Sequence, residues 1–206
     1  MLLWDIGHII HSRAHELLGH DEVQNLLENL SESSPRLVED LVPKLLPLTV
    51  VVKVLQNLLE EGIAVRSFKQ IAESLAEQAR QSQDPDILTA HVRVALGQQI
   101  VQQINGLETE LPVLTLAQPL EQLLQESMQQ DAAAIEPGLA ERMHQSIAEW
   151  VERQQGQGQT PVLLVPQAIR SSLARFLRYA APGLNVLAYN EVPQGKQLKL
   201  VGSVGA

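Results

Sequence analysis

The sequence predicts a mixed α+β fold, in which an all-helical, winged-helix-like domain precedes a small α/β domain with a mostly parallel sheet. Apolar residues make up 45% of the 206 residues and aromatic residues only 3%, a composition that favours packed helices over an aromatic-rich sandwich. Apolar residues recur at helical spacing through the first half of the chain. After residue 106, short apolar runs alternate with helical segments, which is typical of strand–helix–strand units.

In the helical domain, most of the predicted helices start at residues that favour a helix N-terminus. Short polar side chains can accept hydrogen bonds from the first turn, and proline fits the first helical position because its missing N–H would be unsatisfied there. Pro43 and Gly62 are expected to end the second and third helices. The last helix is predicted to be the longest, with apolar residues from Ile87 to Ile104. The expected starts are Asp21, Ser34-Pro35, Thr49, Ser67 and Asp84-Pro85.

The α/β domain is predicted from apolar runs bounded by proline and glycine. Two of its strands flank a helix, so they should lie parallel and be joined by a right-handed crossover. The last two strands are close enough in sequence to form a hairpin. A domain boundary is placed near Gly106. The predicted order is strand 111–116, helix 119–128, a break at 131–136, helix 137–153, strand 161–165, helix 168–179, strand 184–189 and strand 198–204.

Charge and composition exclude several classes of function. The net charge of −9 repels phosphates, so nucleic acid is not expected as a partner. The helix at 67–79, which could act as the second helix of a helix-turn-helix, carries Lys69 against Glu73 and Glu77, which favours a protein partner over DNA. The absence of cysteine excludes disulfides and thiolate chemistry. The most apolar stretch, 41–59, is interrupted by prolines and lysines, so we expect a soluble chain without membrane contact of its own.

No residue pattern indicates catalysis or a cofactor. His8, His11 and His15 have the i, i+3, i+7 spacing of one helix face, but the glutamate of the HExxH arrangement is not between the pair, and a polar helix face is the favoured interpretation. A metal-dependent hydrolase built on these histidines is a third class of function beside the two below. Neither a phosphate-binding glycine motif nor a GxSxG elbow is present. We therefore predict a protein that is not an enzyme and binds no cofactor or metal.

Two segments are candidates for protein contact. Residues 158–206 contain five basic residues and a single acid, Glu191, whereas residues 106–157 contain nine acids and two basic residues. The helix with Arg170, Arg175 and Arg178 is therefore the clearly basic element; it either forms a solvated or internally paired face or contacts an acidic partner. The apolar run Val50-Val51-Val52 is the second candidate, with burial in the core as the alternative.

Several runs carry a resemblance to a known family. The most specific is Lys53-Val-Leu-Gln-Asn-Leu-Leu-Glu-Glu-Gly-Ile-Ala-Val-Arg66, and the others keep the family's order along the chain. Together they resemble the cytosolic region of the flagellar export-gate proteins, the FHIPEP family, and the run around Tyr189-Asn190-Glu191 resembles its flagellar members. The other runs are Ala14 to Leu27, Pro35 to Pro43, Val92 to Gly97, Glu136 to Leu139, Val186 to Pro193 and Gln197 to Gly202.

The resemblance implies a place and a role for this chain. It implies a multi-pass protein of the bacterial inner membrane, with this segment on the cytoplasmic face as part of a homo-oligomeric ring used in type III protein secretion and flagellum biogenesis. The implied partners are export chaperone–substrate complexes, the ATPase complex and other export-gate components. Residues 1–20 would be the closing helix of a preceding subdomain, 21–106 the third cytosolic subdomain and 107–206 the fourth.

A stand-alone adaptor is the alternative function. It would be a cytosolic regulator that binds protein through its winged-helix-like domain and belongs to no membrane gate. An upstream block of membrane spans in the reading frame would exclude it.

Overall fold

The computed structural model describes residues 17–130 and 137–205, which form two compact units divided between Leu96 and Gly97. The first unit is all-helical in its described part, and the second is a small α/β unit with a parallel sheet, which confirms the predicted fold class. This division and the boundary predicted near Gly106 differ by one helix, Gly97–Asn105. The predicted break at 131–136 lies outside the described residues.

The first unit packs its helices around leucine, valine and isoleucine. Helices α3 and α4 both pack against α5, and the side chains between them are almost completely buried. Burial of such branched apolar side chains is the main stabilising contribution of this unit. Its elements are α1 His20–Ser33, α2 Pro35–Glu39, a π-helical turn Asp40–Leu45, α3 Leu48–Glu60, a 3-10 turn Val65–Ser67, α4 Phe68–Gln78 and α5 Pro85–Ala95.

The ends of these helices follow the local sequence, with one shift. Val42 leaves helical geometry directly before Pro43, since the proline ring disfavours a helical residue in front of it. Gly62 follows α3 with φ at 72°, a conformation that glycine adopts without steric penalty. Asp84 accepts hydrogen bonds from the first turn of α5, as predicted. Helix α1 was predicted to start at Asp21, but its N-cap is Gly19. The Glu22 carboxylate stabilises this earlier start by accepting a hydrogen bond from the Gly19 N–H.

The long helix predicted from Asp84-Pro85 is in fact two helices. Helix α5 ends at Ala95, and α6, Gly97–Asn105, begins the second unit. A Cβ atom on Gly97 would clash with the carbonyl oxygen of Glu191. The start of α6 therefore approaches this backbone so closely that only glycine fits. Ile87, predicted on the apolar stripe of the helix, is half exposed, and Leu88 is buried in its place.

The second unit is a four-stranded parallel sheet in the order β3-β2-β1-β4. The crossovers from β1 to β2 and from β2 to β3 are helical, which confirms the predicted parallel arrangement. One apolar cluster joins one face of the sheet to helices α7, α8 and α9. Its elements after α6 are β1 Glu110–Leu116, α7 Gln118–Gln130, α8 Pro137–Gly156, β2 Val162–Val165, α9 Gln167–Leu177, β3 Asn185–Ala188, a 3-10 turn Tyr189–Glu191 and β4 Gln197–Val204.

The hairpin predicted for the last two strands is wrong. Strand β4 does not pair with β3; it lies at the opposite edge of the sheet, parallel to β1. The connection from Tyr189 to Lys196 therefore crosses two strands instead of making a tight turn. Within residues 17–130 and 137–205, no helix is both long and apolar enough to span a membrane.

Candidate protein-contact surfaces

The predicted contact segment Val50-Val51-Val52 lies mostly in the core. Val51 and Val52 lie on the inner side of α3 and are almost completely buried in the first unit, whereas Val50 is half-buried. Two of the three valines are therefore unavailable as surface, in agreement with the alternative that the sequence left open. A contact role for Val50 stays a prediction.

The basic helix α9 is divided between an inner and an outer side. Arg170 is 1% exposed, and its Nε lies 3.6 Å from a carboxylate oxygen of Glu191, which is also 1% exposed. A buried guanidinium loses its hydration, so the opposite charge beside it is needed to offset that loss. Arg170 is thus a structural residue, and the acid that balances it is the single acid of residues 158–206.

Glu191 connects three parts of the second unit. One carboxylate oxygen faces Arg170 on α9, and the other accepts a hydrogen bond of 3.3 Å from the N–H of Ala188 at the end of β3. Its carbonyl oxygen lies against Gly97 at the start of α6. These contacts place a buried charged group where the last residues of β3 meet two helices. Sequence reasoning noted Glu191 as the lone acid of its segment but did not assign it this partner.

The other two arginines, Arg175 and Arg178, lie on the outer side and at the C-terminal end of α9. Arg175 is exposed and donates a hydrogen bond of 3.2 Å to the hydroxyl oxygen of Ser171, one helical turn earlier. Arg178 is half-buried, and Tyr179 beside it is 88% exposed. Arg175 and Arg178 therefore remain candidates for contact with an acidic partner, and Tyr179 adds an aromatic side chain that sequence reasoning missed.

Several apolar side chains of the second unit are exposed. Leu198 and Leu200 on β4 are 47% and 64% exposed, and Tyr189 is about half exposed. Burial of its ring raises the pKa of Tyr189, and the nearby carboxylate of Glu121 raises it further. Apolar and polar residues alternate over 198–204, which correctly predicts a strand, but this pattern does not show that the strand lies at an open edge.

The histidines considered for metal binding, His8, His11 and His15, lie outside the described residues. Among residues 17–130 and 137–205, no three His, Asp or Glu side chains come together in a group that could hold a metal ion.

A comparison with known families decides the identity of the chain. A model described as the FHIPEP family matches residues 1–197. The chain belongs to the FHIPEP family. The resemblance that the sequence runs indicated is thereby confirmed.

Flagellar members of the FHIPEP family match almost the whole chain. The flagellar biosynthesis protein FlhA of Proteus mirabilis is 42% identical over 199 residues, and FlhA of Escherichia coli K12 is 42% identical over 200 residues. Each match covers 97% of this chain but only 28% and 29% of the relative. The chain therefore spans less than a third of the length of these curated relatives.

Two solved structures share the fold of this chain. The Chlamydia pneumoniae CdsV protein has a TM-score of 0.87 at 24% identity and covers 98% of this chain, which accounts for 59% of that structure. The nonameric EscV cytosolic domain from the type III secretion system has a TM-score of 0.81 at 27% identity, over 94% of this chain and 58% of that structure. This FHIPEP chain thus shares the fold of part of such a cytosolic domain. Its sequence identity to the FlhA relatives, 42%, is higher than to these structures.

Proposed function

We propose that this chain is part of the cytosolic region of a flagellar protein-export gate, where it acts as a docking and ring-building module and not as an enzyme. The observation that carries the proposal is the 42% identity to FlhA proteins across 97% of the chain. In the protein as a whole, the chain would lie at the cytoplasmic face of the bacterial inner membrane.

Ring building is supported by the nonameric EscV cytosolic domain, which shares this fold at 27% identity. Interfaces between small subdomains are weak when each subunit diffuses freely, and attachment to a common membrane assembly raises their effective concentration. We therefore expect the separate 206-residue chain to be mainly monomeric at micromolar concentration. Light scattering tests this, and a stable ring at that concentration would contradict it.

Docking is proposed for export chaperone–substrate complexes, the ATPase complex and other export-gate components. The outer side of α9, with Arg175 and Arg178, supports an acidic partner, because surface charges of opposite sign accelerate association and fix the orientation of the partners. Arg170 takes no part in this surface since it is buried against Glu191.

Calorimetric titration with flagellar chaperone–substrate complexes tests the docking role. The 206-residue chain is compared with a longer version that restores the upstream cytosolic subdomains. Comparable binding by both chains would support a docking surface within this chain, whereas binding by the longer chain alone would restrict this chain to ring building.

Charge reversal then tests the arginine surface. We expect Arg175→Glu with Arg178→Glu to weaken binding, with a strong dependence on salt, since exposed charges act mainly on the association rate. Arg36→Glu with Arg80→Glu, a reversal of two exposed arginines in the first unit, is the matched control because it changes the net charge by the same amount. Equal weakening by both variants would mean that net charge, and not this surface, controls binding.

A further inference from the structure

The two edges of the parallel sheet differ in length and exposure. Strand β3 forms one edge with four residues, of which Val186, Leu187 and Ala188 are buried. Strand β4 forms the other edge with eight residues, and most of them are exposed. An edge strand offers a row of backbone N–H and C=O groups that another extended chain can pair with. Of the two edges of the sheet that the described residues form, β4 presents the longer row.

Side chains on β4 continue the rows of the neighbouring strand β1. Leu198 lies in register with Leu111, and Leu200 with Val113, so these four side chains share one face of the sheet. Leu111 and Val113 are buried, whereas Leu198 and Leu200 remain half exposed at the open end of the same apolar rows. A further strand with apolar residues at these positions would complete the cover, since directly opposed apolar side chains stabilise strand pairs.

The other face of the same strands carries charge. Lys199 Nζ lies 3.3 Å from a carboxylate oxygen of Glu110 on β1, and both side chains are more than half exposed. A strand added beside β4 would place its own side chain next to Lys199, and an acidic residue there would continue the alternation of negative and positive charge across the sheet. Opposite charges on adjacent strands stabilise pairing, and like charges oppose it.

Strand β4 is regular over the part that these residues occupy. The register with β1 shifts between Val113 and Leu114, which leaves Val201 as an extra residue in β4. Such a bulge bends a strand and ends regular pairing. The segment Gln197 to Leu200, before the bulge, is therefore the part of the edge that suits a short added strand.

We propose that the β4 edge binds an extended polypeptide segment in which apolar and acidic residues alternate, by adding it as a fifth strand of the sheet. Main-chain hydrogen bonds would supply the pairing, Leu198 and Leu200 the apolar contacts, and Lys199 the preference for an acid. The proposal goes beyond the export-gate function and stands on the geometry of the sheet, so either can fail without the other.

Peptide binding to the 206-residue chain tests it. The probe is an eight-residue fluorescent peptide in which valine and glutamate alternate, and fluorescence anisotropy measures its affinity. Two peptides serve for comparison. The first has the same composition, but its valines and its glutamates are grouped in two blocks. The second alternates valine with lysine in place of glutamate. We expect the alternating glutamate peptide to bind more tightly than either, with backbone NMR shifts concentrated at β4. No binding at about 1 mM peptide, or equal binding of the block peptide, would overturn the proposal.

Variants of β4 separate the apolar contribution from the charge. Leu200→Thr introduces a β-branched residue that suits a strand but removes apolar surface, and it is expected to weaken binding of the glutamate peptide about fivefold. The exchange Glu110→Lys with Lys199→Glu keeps the internal ion pair and should transfer the preference to the lysine peptide. Ile87→Thr, an exposed apolar residue of the first unit, is the matched control and should leave binding unchanged. Circular dichroism confirms that each variant is folded.

A second copy of the chain is the competing occupant. If sedimentation shows self-association that Leu200→Thr abolishes, while the peptides fail to bind, then β4 pairs with another copy and the proposal is wrong. An unchanged preference after the charge exchange would likewise refute the role given to Lys199.

Discussion

The buried ion pair between Arg170 and Glu191 gives the sharpest test of how the second unit is held together. Glu191→Gln keeps an oxygen that can accept the hydrogen bond from the Ala188 N–H, but it removes the negative charge that faces Arg170. Since both side chains are 1% exposed, water cannot replace the lost partner. Removal of one partner of such a pair typically costs about 3–5 kcal/mol.

That cost is large enough to measure directly. For a unit of this size, about 3–5 kcal/mol corresponds to a decrease in Tm of about 10–20 °C, and with a typical urea m-value the midpoint shifts by about 2 M. Trp150 lies in the core of the second unit, so its fluorescence reports on that unit. A Trp4→Phe background leaves Trp150 as the sole tryptophan, because the chain has two.

A double-mutant cycle identifies the cause of the loss. Arg170→Met with Glu191→Gln should be less destabilising than the sum of the two single changes, since no buried charge is left without its partner. Arg175→Met, on the exposed side of the same helix, is the control and should change stability by no more than about 0.5 kcal/mol. A loss below about 1 kcal/mol for Glu191→Gln, or full additivity in the cycle, would refute the reasoning.

Three further predictions follow from single contacts, and urea unfolding measures each. Gly97→Ala should destabilise the second unit by about 1–3 kcal/mol, because its Cβ would meet the Glu191 carbonyl oxygen, although alanine is the better helix former; a neutral result would contradict this close approach. Burial raises the pKa of Tyr189 above its ordinary value of 10.0, so its contribution to stability is complete below pH 10 and is lost as the pH rises through the raised pKa; Tyr189→Phe should remove that alkaline loss. Val51→Ala should lower the free energy of unfolding by about 2 kcal/mol and Val50→Ala by clearly less, because Val51 is fully buried and Val50 is not. Equal losses would contradict this difference in burial.

Local chemistry explains why most helices could be predicted. The break before Pro43, the left-handed Gly62 and the cap at Asp84 each depend on residues within a few positions of one another. The fold class and the parallel crossovers also follow from apolar periodicity, because a helix between two buried strands has few ways to cover them. These features needed no knowledge of distant contacts.

Contacts between distant parts of the chain account for the errors. The break between α5 and α6 occurs at Gly97, which packs against Glu191 far along the sequence, and no pattern around Gly97 reports that neighbour. The burial of Arg170 also depends on a distant partner. The sequence does not distinguish Arg170 from Arg175. The partner of Arg170 is Glu191, which follows β3 and lies beside α9 only in the folded chain.

The incorrect hairpin prediction explains why the open edge of the sheet could not be predicted from the sequence. A hairpin would have paired β4 with β3 and left β1 at an edge; instead β1 is central and is covered on both sides by β2 and β4. This arrangement extends the apolar rows of Leu111 and Val113 to Leu198 and Leu200 on β4. The same eight residues of β4 would form a strand in either topology, but only the observed strand order places β4 beside β1. The binding property that we propose for β4 is therefore a consequence of strand order, which the alternating pattern of a single strand does not contain.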